Sequence, residues 1–258
     1  MEENQNQGYV RVKAKPDGIT TITFFHPAQN SLPGKILNDL AVAIEDAGKN
    51  EAVKVIILSS GGDRTFCAGA SFDELIQIGD FETGKKFFMG FAKVINACRT
   101  CGKIIIGRVQ GKAVGGGVGL AAATDYCLAT KFAQIRLSEL AVGIGPFVVG
   151  PAVERKIGVS AMSQLALNAT EWQTAGWAMQ RGLFAEVYDS AEVMDNAITT
   201  LAEKLAASNP DALRMLKKAF WEGTEHWGEL LEQRAEMSGK LILSEYSKHA
   251  IGRFKGEQ

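Results

Sequence analysis

The segment GKAVGGGVGLAAATDY, residues 111–126, sets Gly115, Gly116 and Gly117 in succession and Gly119 two positions on, inside an apolar stretch. Adjacent glycines cost chain entropy, so something must be gained from them. A helix that begins in glycine has first-turn amides with no intrahelical acceptor, and a ligand can approach that backbone closely. Such amides, aided by the helix field, can hold a developing oxyanion. A second candidate donor lies in FCAGAS, residues 66–71, another small-residue break after a β-rich run. Two amides from two loops would polarise one carbonyl. Close packing of a small-residue helix is the competing explanation and stays open at this stage. Nucleotide-loop readings fail on spacing. Counted from Gly115, G-x-G-x-x-G meets Leu120 where glycine is required, and no GK[ST] stands where Walker A requires it.

A polarised carbonyl needs a proton carrier. The run LSEL holds Glu139 as a single carboxylate among apolar neighbours. A carboxyl in such surroundings has a raised pKa and exchanges protons near neutrality; a solvent-facing loop glutamate is the alternative. Asp125, directly before a predicted strand, reads as a brace for local backbone. Cys98 and Cys101 form CRTC with no second pair and no histidine nearby in sequence, so these thiols are expected to be buried and inert. His26 reads as a surface residue, and His226 and His249 fall in a helical tail. Tyr126 and Tyr188 read as packing residues, and Lys35, Arg253 and Lys255 as solvated cations.

The elements that must position these groups follow from hydrophobic periodicity. Strands are predicted at residues 18–27, 53–60, 103–111 and 126–130, the middle two as continuous β-branched runs typical of buried parallel strands. Helices are predicted at 36–50 and 85–101, with the glycine-led stretch between strands as a third. After residue 151 the pattern is helical, with a long amphipathic run from Pro210 to about Ser247. Asn209 before Pro210 and Thr170 before Glu171 are candidate caps. Alternating strand and helix over some 150 residues indicates a layered α/β core. The chain divides into a core, 1–200, and a helical C-terminal subdomain, 201–258.

Composition narrows the partners. The 258 residues are 46 % apolar and carry a formal net charge of -1, which supports a sizeable core and no basic field for nucleic acid. No apolar run reaches the length of a membrane span, and the polar opening MEENQNQGYVRVKAK does not resemble a secretory signal. Four cysteines suit a reducing compartment, so a cytoplasmic location is expected. No metal or redox cofactor is indicated.

The segments TFCAGASFDEL, GKAVGGGVGLAAATDYCLAT and AQIRLSELAVGIGP, with GITTITFFHPAQNSL at the front, together resemble the enoyl-CoA hydratase/isomerase family of the crotonase superfamily. The likeness covers nearly the whole chain. It implies a crotonase (ClpP/crotonase-like) α/β fold of repeated ββα units with a helical C-terminal region, assembled as trimers or hexamers. It implies acyl-CoA thioesters as substrates, with coenzyme A arriving on the substrate and no prosthetic group. On the matching positions, the amides of Ala70 and Gly116 would bind the thioester oxygen and Glu139 would move the proton. Ala28 and Ala68 would lie along the substrate, and Gly119 and Phe147 would border the acyl group.

Three departures stand out. Family hydratases use two glutamates, and the first belongs where this chain has Gly119. One carboxylate is enough to shuttle a proton between C2 and C4 of an enoyl thioester, whereas adding water conventionally takes two. A glycine there also occurs in members that hydrolyse, decarboxylate or cyclise acyl-CoAs, where the space admits bulk. A non-catalytic CoA-binding protein is the remaining alternative. Ser71 replaces a usual aspartate. GIGPFVVGP, residues 143–151, replaces a glycine-rich turn and makes that wall bulkier and more apolar.

Overall fold

A computed structural model describes residues 8–256. The first seven residues of the polar opening lie outside them. After β1 (Tyr9–Ala14) the chain repeats strand, short strand, helix. The first unit is β2 (Ile19–Phe25), β3 (Ser31–Leu32) and α1 (Gly34–Lys49). The second is β4 (Val55–Ser60), β5 (Thr65–Cys67), a two-residue β6 (Gly69–Ala70), the short α2 (Phe72–Leu75) and α3 (Phe81–Thr100). The third is β7 (Ile104–Val109), β8 (Lys112–Val114) and α4 (Gly116–Ala123). The fourth is β9 (Tyr126–Thr130), β10 (Gln134–Arg136), a 3-10 turn over Glu139–Val142 and α5 (Gly150–Leu167). There follow β11 (Gln173–Thr174), α6 (Ala175–Gln180), β12 (Glu186–Tyr188) and the helices α7 (Ala191–Ala206), α8 (Pro210–Phe220), α9 (Trp227–Leu241) and α10 (Glu245–Gly256).

The first strand of each unit joins a six-stranded sheet of order β1-β2-β4-β7-β9-β12, parallel except for β1. The second strands, together with β6 and β11, build smaller sheets, β11-β10-β8-β5 and β3-β6. The run VIILSS of β4 is buried along its whole length because both faces of the large sheet are covered. Ile56 and Leu58 pack with Leu37, Leu40 and Ile44 of α1 and with α3. Val55 and Ile57 pack with Met194, Ile198 and Ala202 of α7 on the other side.

Several boundaries differ from expectation. Thr174, not Thr170, is the cap: its side chain accepts from Trp177 N at the start of α6, and residues 171–172 are not helical. Asn209 caps α8 as expected. The amphipathic run from Pro210 breaks into three helices: Gly223, at φ +80°, separates α8 from α9, and residues 242–244 separate α9 from α10. The α7 helix runs across residue 200 without interruption.

The helical tail is fastened to the core in two places. At the α3–α9 crossing, a Cβ on Gly84 would stand 3.1 Å from Gly239 Cα, so the backbones nearly touch. Lys85 secures that crossing through Glu232 and Glu236 at 2.7 and 2.9 Å. The second fastening is Asp125. It accepts from Ile105 N at 2.8 Å, from Lys217 Nζ at 2.6 Å and from Trp221 Nε1 at 2.8 Å. The Asp125 and Lys217 side chains are 2 % and 3 % exposed, so this is a buried ion pair joining the sheet to α8. Asp125 is a brace, as its position suggested. All four cysteines are free and buried, and burial pushes the Cys67, Cys98 and Cys127 thiols up to about 12.

Candidate active site

A cavity of about 710 Å³ opens where β6, the start of α4 and the 3-10 turn meet. Its floor is the glycine run. Gly115, at φ +51°, precedes α4 in a conformation that few side-chain-bearing residues adopt. Its N–H donates to Arg136 O at 2.8 Å, and its carbonyl accepts from Val118 N at 2.9 Å. Gly116 is the first helical residue, so its amide has no acceptor within α4. Gly69, at φ +93°, brings the other loop alongside: a Cβ there would lie 3.8 Å from Gly116 N. Ala70 follows. Its carbonyl accepts from Ser31 Oγ, and Ser71 N beyond it donates to Leu32 O. Ser71 Oγ accepts from Glu74 N and caps α2, so a neutral side chain fills the place of the expected acid.

Packing and site geometry both demand these glycines. A Cβ on Gly116 would run into the Phe91 ring, and one on Gly117 into Cys67. At Gly115 the obstacle is the site itself: Glu139 Oε1 is 3.0 Å from where the Cβ would be. Glu139 opens the 3-10 turn and is half-buried, with Oε2 sealed from solvent and without a hydrogen-bond partner. Burial lifts its carboxyl to about 7, against a smaller pull downward from its own backbone amide. That carboxyl is enclosed by the cavity wall and is not the solvent-facing loop glutamate of the alternative. The second carboxylate on the wall, Asp73, stands in the first turn of α2, towards His26.

The Enoyl-CoA hydratase/isomerase family model matches residues 14–257. The chain belongs to that family. It is similar to the short-chain-enoyl-CoA hydratase of Clostridium acetobutylicum, 28 % identical over 93 % of this chain and 92 % of that one. It is equally similar, at 28 %, to the peroxisomal Δ(3,5)-Δ(2,4)-dienoyl-CoA isomerase of Arabidopsis thaliana, over 86 % and 84 %. In fold it matches the crystal structure of an enoyl-CoA hydratase from Bacillus halodurans, with TM-score 0.87 and 21 % identity over 95 % and 99 % of the two chains.

Of the residues singled out from the crotonase resemblance, the cavity is lined by Ala28, Ala68, Ala70, Gly116, Glu139 and Phe147. Gly119 is the exception. It is buried in α4 and does not line the cavity, and a Cβ on it would lie 2.5 Å from Val149 Cγ1. The space expected beside a glycine is filled by Val149 of the segment GIGPFVVGP. Gly119→Ala is therefore expected to destabilise the fold by about 1–3 kcal/mol. In a Val149→Ala background the same change should cost nothing further. Thermal melts of the two single variants and the double variant check this, and additive losses would separate the two positions.

Two other expectations change. His26 is not an ordinary surface residue: it lines the cavity, its Nδ1 is buried without a partner, and burial lowers its pKa while Asp73 and Glu74 pull it back up. Tyr126 and Tyr188 do more than pack, since both hydroxyls donate to Glu186. His226 and His249 lie on the exposed tail and do not line the cavity. Sequence reading missed Arg136 and the aromatic wall of Phe87, Phe88 and Phe91. The repeated phenylalanines at helical spacing in KKFFMGFAK were the available signal for that wall.

Proposed function

We propose that this family member isomerises enoyl-CoA thioesters, with Glu139 as the single proton carrier. The thioester oxygen sits between the amides of Ala70 and Gly116. Glu139 removes a proton from C4 of a 3-enoyl thioester, and the electron pair delocalises onto the thioester oxygen as a dienolate. The two amides stabilise that charge as it develops. The protonated Glu139 then returns the proton at C2, giving the 2-enoyl isomer, and the same steps run in reverse. Nothing is consumed and no prosthetic group takes part.

The observation that supports this most is the setting of Glu139: sealed on one oxygen, unpaired, and pressed against the glycine that leads into α4. A carboxyl poised near 7 can both take and give a proton at neutral pH. Hydration has less support, because Val149 stands where a second glutamate would have to reach in from position 119. The same side chain weighs against hydrolase, decarboxylase or ring-forming chemistry that relies on open space there.

The test is incubation with short, branched and β,γ-unsaturated enoyl-CoAs in water carrying heavy oxygen, followed by mass spectrometry. The expected product has an unchanged mass and a moved double bond. Incorporation of one heavy water would make the protein a hydratase and overturn the one-carboxylate reading.

A further inference from the structure

Proton transfer makes no use of Arg136, yet Arg136 lies on the wall of the same cavity. It ends β10, where Ile135 before it is fully buried in the core. Alternation along the strand turns Arg136 to the opposite face. Across the parallel ladder it pairs with Val114, which lines the cavity and leads into the glycine run. Ala169 and Thr170, just ahead of Trp172, line the cavity as well. The guanidinium lies over the Trp172 ring, 4.5 Å from its centroid, and Lys112 Nζ lies 5.0 Å from the same ring.

Two cations thus share one indole, and neither forms an ion pair with another described residue. Arg136 Nε is buried and has no hydrogen-bond partner. An unpaired buried donor carries a desolvation penalty that a bound acceptor would remove. The stack on Trp172 holds the planar fork in place beforehand, which suits a carboxylate. The aromatic and aliphatic parts of the wall, such as Phe87, Phe88, Phe91 and Ile144, suit the methylenes leading to that carboxylate.

We propose that Arg136 is a specificity residue that holds a carboxylate at the far end of the acyl group, so that the preferred ligands are ω-carboxyacyl-CoA thioesters. This rests on the acyl-CoA reading of the cavity, though not on isomerisation. The test is calorimetric titration of the intact protein with two saturated thioesters of equal length, adipoyl-CoA and hexanoyl-CoA. Neither has a double bond to shift, so the result is independent of turnover. Adipoyl-CoA is expected to bind at least about tenfold tighter. Arg136→Gln should abolish that preference while leaving hexanoyl-CoA affinity unchanged, which also shows that the variant has folded.

Equal affinities for the wild type would overturn the proposal without needing the variant. So would a preference that survives in Arg136→Gln. A loss that falls equally on both ligands would assign the guanidinium to the phosphates of coenzyme A instead and would also overturn it. Binding of neither thioester would remove the acyl-CoA reading and this inference together, whereas tight adipoyl-CoA binding without isomerisation would sink only the proposed reaction.

Discussion

Glu139→Gln is expected to lower turnover about 10³-fold and, at pH 8, to make the protein more stable. The first effect follows from the role. A positioned general acid–base group contributes about 10²–10⁴ in rate, and here one group serves both half-steps. The second follows from linkage. Burial raises the folded-state pKa from 4.5 to about 7. Between those values the folded chain holds a proton that the unfolded chain has released. Stability therefore falls as pH rises through this window and stays lower above it, by on the order of 3 kcal/mol. Glutamine has no proton to lose. The variant should melt above the wild type at pH 8 and together with it near pH 4. The wild-type rate should in turn rise with pH to a plateau above about 7, because the base form starts the reaction. Kinetics and melts at both pH values check this. Undiminished turnover, or a melting difference independent of pH, would remove Glu139 from the mechanism.

Asp125→Asn should be the most damaging single substitution away from the cavity. It leaves the Lys217 ammonium buried without a counter-charge, and a broken buried pair costs about 3–5 kcal/mol. For a chain of this size that lowers Tm by roughly 10 °C. Lys217→Met should do comparable harm by stranding the carboxylate. The double variant Asp125→Asn/Lys217→Met should recover much of the loss, since neither member of the pair is left stranded. Denaturant unfolding of all three variants measures the coupling. Additive losses would mean that the 2.6 Å contact contributes nothing in solution.

Local patterns carried much of the architecture. VKVIILSS and KIIIGRVQG read as buried strands because of their continuous β-branched and apolar runs, and both hold strands. The small-residue helix and its glycines were legible because glycine restricts the possibilities so sharply. Contacts between distant segments were not legible. Nothing in GIGPFVVGP states that Val149 meets Gly119, 30 positions earlier, and so the missing side chain suggested a hole where there is a plug. His26 looked superficial because its turn is polar, but β3–β6 pairing folds that turn onto the cavity. Nothing in the amphipathic run that holds Lys217 marks its tie to Asp125, and only the fold brings the two together. Glu139 could be named from sequence, whereas its sealed oxygen depends on how the 3-10 turn packs against Gly115.

The Asp125–Lys217 tie also sets an order of events during synthesis. Its partners lie 92 residues apart, so at about 5–20 residues per second roughly 5–20 s pass between their appearances on the ribosome. Through that interval β7 and β9 already exist as sequence, while the carboxylate between them awaits its counter-charge. Until α8 has been made, the large sheet can close only with Asp125 lacking that counter-charge. A nascent chain halted before residue 217 should therefore be cut along that seam faster by a protease than the full chain.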